Sequence, residues 1–200
     1  DPVEALAALR TGLPRLIDIG LLTFPPGETR RYVNTFGLGA SGHVAKLALA
    51  HGRKGGAYSY AIELIRMMFS AKPWQFTIGT GGETVCTQAI YAQLANGRRE
   101  GRVFTVAPDA QLDDGLLDML VVIDVPLVRR PLFVVRGASG RLPLGPAVMR
   151  RQVSAATITP AEALPCHVDG EPFTLEAGEE VRVGVLPKGL AVIAPPTSAR

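Results

Sequence analysis

The spacing of apolar and polar residues changes character several times along the chain. Residues 16–24 and 29–36 are apolar-rich runs on either side of Pro25-Pro26-Gly27, which predicts two strands joined by a turn. Ahead of them, residues 2–10 read as a short helix, with Asp1 as N-cap and Pro2 at the first helical position. After the glycine-rich stretch 37–42, Val44, Leu47, Ala48 and His51 share one helical face. Tyr58, Ile62, Ile65 and Met68 or Phe69 share another, with Gly55-Gly56 between the two helices. From Pro73 the pattern becomes β-like. Residues 74–78, 84–94, 103–107 and 117–125 predict strands, and Gly81-Gly82 predicts a tight hairpin turn. Residues 125–137 mix apolar positions with Arg129, Arg130 and Arg136 and predict an amphipathic helix. Residues 152–159, 163–168, 172–175, 179–186 and 190–193 close the chain as strands. The sum is a mainly β domain with a few helices (α+β), arranged as a sandwich or distorted barrel.

Composition narrows the class without naming a function. Of the 200 residues 47% are hydrophobic and 20% charged, enough apolar material for a core. The formal charge of +3 suits an anionic surface or phosphates and is specific to neither. Cys86 and Cys166 lie far apart and form no C-x-x-C pair, so they read as two buried free thiols rather than a disulfide or zinc framework. No apolar stretch reaches the ~20 residues that span a bilayer. Aromatics are scarce and no reading motif is present, which argues against nucleic acid as a partner.

Four segments carry candidate chemistry. Gly37-Leu38-Gly39-Ala40-Ser41-Gly42 has the G-x-G-x-x-G spacing of a dinucleotide-binding turn. The rest of that unit is missing, because a second helix follows the first where a parallel strand should stand. The glycines read better as positions of positive φ or close backbone approach. Asp113-Asp114-Gly115, with Asp118 beyond, crowds carboxylates into a turn; it reads either as an ordinary Asp-Gly turn or as a hard-cation site using carboxylate and carbonyl oxygens. Asp169-Gly170-Glu171 reads either as a hairpin turn or as a carboxylate pair. At i and i+2 of an extended segment, Asp169 and Glu171 would share a face and could supply a general base. A metal site from Cys166, His167 and Asp169 is disfavoured, since adjacent strand residues point to opposite faces, and no G-x-S-x-G elbow supports a serine hydrolase. Arg129, Arg130, Arg136, Arg141, Arg150 and Arg151, among apolar neighbours, read as a solvated helix face or as a surface for lipid headgroups.

The order of the segments is more telling than any one of them. Arg15-Leu16-Ile17-Asp18-Ile19-Gly20, Tyr32-Val33-Asn34-Thr35-Phe36-Gly37-Leu38-Gly39, Leu94-Ala95-Asn96-Gly97-Arg98, the run from Ala107-Pro108 through Leu112-Asp113-Asp114-Gly115 to Asp118, Val168-Asp169-Gly170-Glu171-Pro172 and Leu186-Pro187-Lys188-Gly189-Leu190 follow one another along nearly the whole chain. This series resembles the C-terminal part of the diacylglycerol kinase and sphingosine kinase superfamily, in its YegS-like bacterial branch.

The resemblance implies the β-sandwich C-terminal domain of the NAD kinase/diacylglycerol kinase-like fold, presenting a lipid site to a cleft shared with an ATP-binding domain. It implies Glu171 as acceptor of the lipid hydroxyl proton, with Asp169 beside it. It also implies a structural or regulatory Mg²⁺ held by the Asp114 side chain and the Gln111 and Leu116 carbonyls. ATP would enter as co-substrate with its own Mg²⁺. Its G-G-D-G-T loop is absent, since Gly81-Gly82-Glu83-Thr84 lacks the Asp-Gly core. Residues 1–200 are therefore expected to be the lipid-facing domain of a longer kinase, residues 1–14 being a residual linker, with little activity alone. The expected setting is the cytoplasm, at the inner membrane face, with homodimer formation through sheet edges left open. The lipid is not specified: diacylglycerol, a sphingoid base, ceramide, phosphatidylglycerol and undecaprenol all fit. A non-catalytic lipid-binding module and an NAD-kinase-like enzyme acting on a soluble nucleotide are the other readings.

Overall fold

A computed structural model describes residues 6, 9–50, 62, 65–67, 69–101, 104–141 and 145–194. Among them the chain is mostly antiparallel strand. It runs β1 (Leu13–Phe24), β2 (Glu28–Tyr32), β3 (Thr35–Gly39), α1 (Ala40–Ala50), β4 (Trp74–Thr80), β5 (Glu83–Ala95), β6 (Arg99–Glu100), β7 (Phe104–Thr105) and β8 (Leu117–Ile123). A single 3₁₀ turn (Leu127–Arg129) leads into α2 (Arg130–Ala138), followed by β9 (Val148–Val153), β10 (Ala155–Pro160), β11 (Leu164–Val168), β12 (Glu171–Leu175) and β13 (Val181–Ala194). Eleven of these strands form one sheet in the order β12-β11-β3-β5-β4-β10-β13-β1-β2, with β8 and β9 branching from β5. The mainly β, sandwich-like architecture expected from the sequence is the one observed.

The sheet curls because β5 serves two sets of neighbours. Its first half pairs with β4 and its second half with β3 and β8, with the register shifting between Ala89 and Tyr91. A bulge bends a strand and increases its twist, so the two halves face each other across one core. Leu22, Phe36, Leu38, Phe76, Leu94, Leu117, Met119, Ile158, Leu164 and Val181 fill that core. On β8 alternate residues divide: Leu117, Met119 and Val121 enter the main core, while Leu120 and Val122 meet Phe104, Val106 and Phe133 in a second cluster beneath α2. Both faces of β8 are thus buried, which is why it reads as a continuous apolar run.

Several boundaries differ from the sequence reading, each for a local reason. The strand expected at 29–36 is broken by a bend at Val33-Asn34, where the backbone amides turn to a carboxylate described below. The strand expected at 152–159 is two strands that part at Ser154. The separate strands at 179–186 and 190–193 are one, β13, which runs the length of β1 and passes Lys188 at φ 53° opposite the irregularity between Ile17 and Ile19. Cys86 is exposed rather than buried. Most of the helix expected at 2–10, part of the helix at 58–69 and the start of the strand at 103–107 lie outside the described residues.

The glycine-rich stretch 37–42 is a strand running into a helix, with no nucleotide-binding turn between them. Gly37 and Gly39 belong to β3, and Gly42 lies in the first turn of α1. A Cβ at Gly42 would stand 2.4 Å from the backbone of Pro165 and Cys166, so glycine lets α1 lie directly on β11. We expect Gly42→Ala to lower stability by about 1–3 kcal/mol through overpacking, measured by denaturant unfolding. Gly184→Ala, whose Cβ would meet nothing within 4 Å, should change it by no more than about 0.5 kcal/mol.

Candidate active site

Asp169 and Gly170 form the two-residue turn between β11 and β12, with φ of 48° and 91°. Positive φ at both central residues is the signature of a type I′ hairpin, which Asp-Gly favours. The turn therefore separates the two acids instead of ranking them on one extended face: Asp169 lies within it, and Glu171 opens β12. The shared-face geometry expected from i, i+2 spacing does not occur.

The carboxylates are used very differently. Asp169 Oδ2 accepts the Val33 N–H at 2.7 Å, and Oδ1 accepts those of Asn34 and Thr35 at 3.0 and 2.8 Å. The Asp169 N–H in turn donates to the Thr35 carbonyl at 2.9 Å. Glu171 is exposed, and no side-chain hydrogen bond or ion pair engages it among the described residues. Behind the turn, Phe173 on β12 stacks on the buried Phe36, centroids 6.1 Å apart and 13° between planes, and Arg30 lies 4.7 Å over the Phe173 ring. Tyr32 is buried beside the bend. Burial, and then the charge of Asp169, push its hydroxyl well above the usual tyrosine range.

Asp18 organises the second half of the site. It is 1% exposed on β1 at the register irregularity. Its Oδ1 accepts the Lys188 N–H and its Oδ2 the Gly115 N–H, each at 2.7 Å; its own N–H donates to the Leu112 carbonyl at 2.6 Å. Charge-assisted bonds of this kind offset the cost of a buried carboxylate. Asn96 completes the link: its Nδ2 donates to the carbonyls of Asp18 and Val33, and its N–H donates to the Asn34 carbonyl. The Asp-Asp-Gly loop is thereby fastened to the bend that Asp169 holds.

Within that loop Asp114 Oδ1 accepts the Leu116 N–H at 3.0 Å, and Asp113 pairs with Arg15 at 3.0 Å. Burial raises the Asp118 carboxyl above its ordinary range. A hydrogen bond from Gln152 opposes this, and the charges of Asp114 and Asp109 raise it further. A divalent cation beside Asp118 would offset the charges of Asp114 and Asp109 there. Among the described residues no group of three acidic, histidine or cysteine side chains could enclose a metal, so a cation here would need carbonyl oxygens, as expected for Gln111 and Leu116. Beside the loop a cavity of about 1040 Å³ is lined by Arg15, Asn34, Arg98, Arg99, Asp109 and Gln111.

Cys166, His167 and Asp169 do not meet as ligands. Cys166 is buried, its thiol pushed up by desolvation, and it donates to the Leu164 carbonyl. His167 is committed to a buried polar group that sequence reading missed. Its Nε2 lies 2.7 Å from Ser41 Oγ and 3.2 Å from Glu100 Oε1, and its Nδ1 accepts the Gly170 N–H at 3.1 Å. The arginine stretch is not one face either. Arg130 is 4% exposed and donates to the carbonyls of Val125 and Ala71 and to Asp124, while Arg151 pairs with Glu83.

Residues 34–194 match the family model of the YegS C-terminal NAD kinase beta sandwich-like domain. The chain belongs to that family. Among curated proteins, this YegS C-terminal domain is 28% identical over 208 residues to a Probable lipid kinase YegS-like of Chromohalobacter salexigens, covering 100% of the chain and 62% of the relative. It is also 28% identical over 146 residues to a protein of the same name from Shewanella frigidimarina, covering 70% of the chain and 44% of that relative. The chain therefore spans less than two thirds of the length of these relatives. Two solved structures from Bacillus anthracis str. Sterne, one described as a putative diacylglycerol kinase and the other as a diacylglycerol kinase, superpose with TM-scores of 0.71 and 0.63. The first, at 15% identity, covers 98% of this chain and 62% of that one; the second, at 14%, covers 92% and 55%. At such identities the likeness is one of fold.

Proposed function

We propose that this YegS C-terminal domain is the lipid-facing half of a kinase that transfers the γ-phosphoryl of ATP to a lipid hydroxyl, with Glu171 as proton acceptor. The observation that carries this is the division of labour in the Asp-Gly-Glu turn. Asp169 has both oxygens committed to backbone amides, and Glu171, two residues on, offers a carboxylate unengaged among the described residues at the start of β12. Phosphoryl transfer needs positioning and charge stabilisation more than covalent help from the protein, and a base must stand where the hydroxyl proton leaves. Asp169 then acts by holding the turn rather than by moving a proton. ATP and its Mg²⁺ would come from a nucleotide-binding region outside these 200 residues. The Chromohalobacter and Shewanella relatives' names favour lipid over a soluble nucleotide such as NAD. With labelled ATP, Mg²⁺ and mixed lipids, the protein extended to the length of those relatives should label a lipid. Glu171→Ala should lose at least about a hundredfold in kcat while staying folded. Labelled NAD, or labelled lipid undiminished in Glu171→Ala, would refute the assignment.

A structural Mg²⁺ at Asp114, with the Gln111 and Leu116 carbonyls, is the second part of the proposal. Its support is the gathering of Asp109, Asp114 and Asp118 about one loop, where the charges of Asp114 and Asp109 add to burial in raising the Asp118 carboxyl. The Asp118 carboxyl is raised in the folded state. Without a cation its stabilising contribution is therefore present in acid and fades as pH rises through the folded value. In EDTA the melting temperature should fall across that range. Mg²⁺ should cancel the fall in the wild type but much less in Asp114→Asn. Identical curves with and without Mg²⁺ would remove the site.

The surface we assign to the membrane differs from the arginine stretch first considered. Arg130 is buried, whereas Leu127, Val128, Leu132 and Val135 around α2 are 47–86% exposed, with Arg129 and Arg136 also exposed beside them. An apolar face flanked by cations suits an anionic bilayer surface. Among the described residues no helix is long and apolar enough to cross a membrane, so contact would be peripheral. Leu132→Glu with Val135→Glu should reduce sedimentation with phosphatidylglycerol vesicles at least about tenfold; unchanged sedimentation would exclude this face.

A further inference from the structure

Behind the Asp-Gly-Glu turn lies a cluster of polar side chains with almost no exposure: Thr35 2%, Ser41 0%, Gln93 0%, Glu100 2%, His167 2% and Tyr91 6%. Buried polar groups are costly unless hydrogen-bonded to one another, and these form a connected series. His167 Nε2 meets Ser41 Oγ, and both meet Glu100 Oε1. Glu100 Oε2 meets the Tyr91 hydroxyl, Tyr91 meets Gln93, and the Gln93 Nε2 donates to Thr35 Oγ1. Both ends of the series reach the turn. At one end His167 Nδ1 accepts the Gly170 N–H; at the other, the Thr35 backbone donates to Asp169 Oδ1 and accepts from the Asp169 N–H. Gly37 makes room for it, since a Cβ there would stand 2.4 Å from His167 Nε2 and 2.5 Å from Ser41 Oγ.

The chemistry fixes the form of the histidine. Nδ1 accepts from Gly170, so the ring proton of neutral His167 sits on Nε2. There it faces Ser41 Oγ, whose own proton goes to Glu100, and Glu100 Oε1. We propose that His167, held as the Nε2–H tautomer by Ser41 and Glu100, is a positioning residue that sets the Gly170 amide and thereby aims Glu171 at the lipid hydroxyl. This rests on the reading of Glu171 as proton acceptor. His167 itself, at 2% exposure, touches no substrate.

Two near-isosteres separate a role at the turn from a role in the core. Asparagine can place an oxygen close to Nδ1 and keep the Gly170 bond; glutamine can reach Ser41 and Glu100 but leaves the Gly170 amide unmatched. In the labelled-ATP assay on the extended protein, His167→Gln should lower kcat by about tenfold to a hundredfold, the scale of a small misplacement. The KM values for ATP and lipid should stay within about twofold. His167→Asn should recover most of kcat, even where its melting temperature is the lower of the two. Nitrogen NMR of the wild-type imidazoles should show the neutral His167 ring carrying its proton on Nε2 and not on Nδ1, independently of either variant's folding. Full kcat in folded His167→Gln, rescue by glutamine instead of asparagine, or a proton on Nδ1 would each overturn the proposal while leaving Glu171 in place. A wild-type protein that labels no lipid would overturn the site reading, and this proposal with it.

Discussion

Where β2 breaks off, three consecutive backbone amides lie outside the strand ladder, and the Asp169 carboxylate accepts from all of them. Val33, Asn34 and Thr35 all donate to it. That junction lets the chain leave β2 and re-enter the sheet as β3 without stranding its polar groups. Through Asn96 it is joined to Asp18, and through Asp18 to Gly115, Leu112 and Lys188. The two acidic turns are distant in sequence, yet they are parts of one hydrogen-bonded frame. Its two central carboxylates serve the backbone, whereas Glu171 is exposed and no side-chain hydrogen bond or ion pair engages it among the described residues.

Much of this was legible in the sequence. The strands alternate or run apolar as their burial requires, and the Asp-Gly and Gly-Gly turns fall where hairpins close. The family resemblance agrees with the family model that residues 34–194 match. The residue roles were harder to read, because they depend on partners far away in the chain. Nothing in the spacing of Asp169 and Glu171 says that one meets residues 33–35 and the other meets none. In the sequence Asp18 is one acidic residue inside the apolar run 16–24. Its importance comes from the break in register opposite Lys188, which no local pattern announces. Arg130 likewise sits in a run of arginines whose alternation suggested a solvated face, but the carbonyls of Val125 and Ala71 draw it inside.

The G-x-G-x-x-G stretch shows how one spacing can arise from two physical needs. In a nucleotide-binding turn, glycines admit a phosphate near the backbone. Here they admit protein: a histidine and a serine over Gly37, and the backbone of β11 against Gly42. Close approach is common to both cases, and what approaches can be known only from the fold. Gly37 also makes space for the buried polar series behind the turn, so the stretch bears on the site through packing.

The placement of β13 has a consequence for how the molecule is made. This strand is the last described element, yet it lies between β10 and β1, pairing Leu13 with Ala194 and Thr23 with Arg182. Contacts so remote along the chain slow folding, because a long loop must close before they form. On the ribosome, the hairpin of β1 and β2 must wait for nearly the whole domain to emerge before it joins the sheet. The Lys188 amide reaches Asp18 only at that point. Until β13 docks, one bond of the acidic frame is unmade and two strand edges are open, so nascent chains are at their most vulnerable to aggregation and chaperone capture just before synthesis of this domain ends.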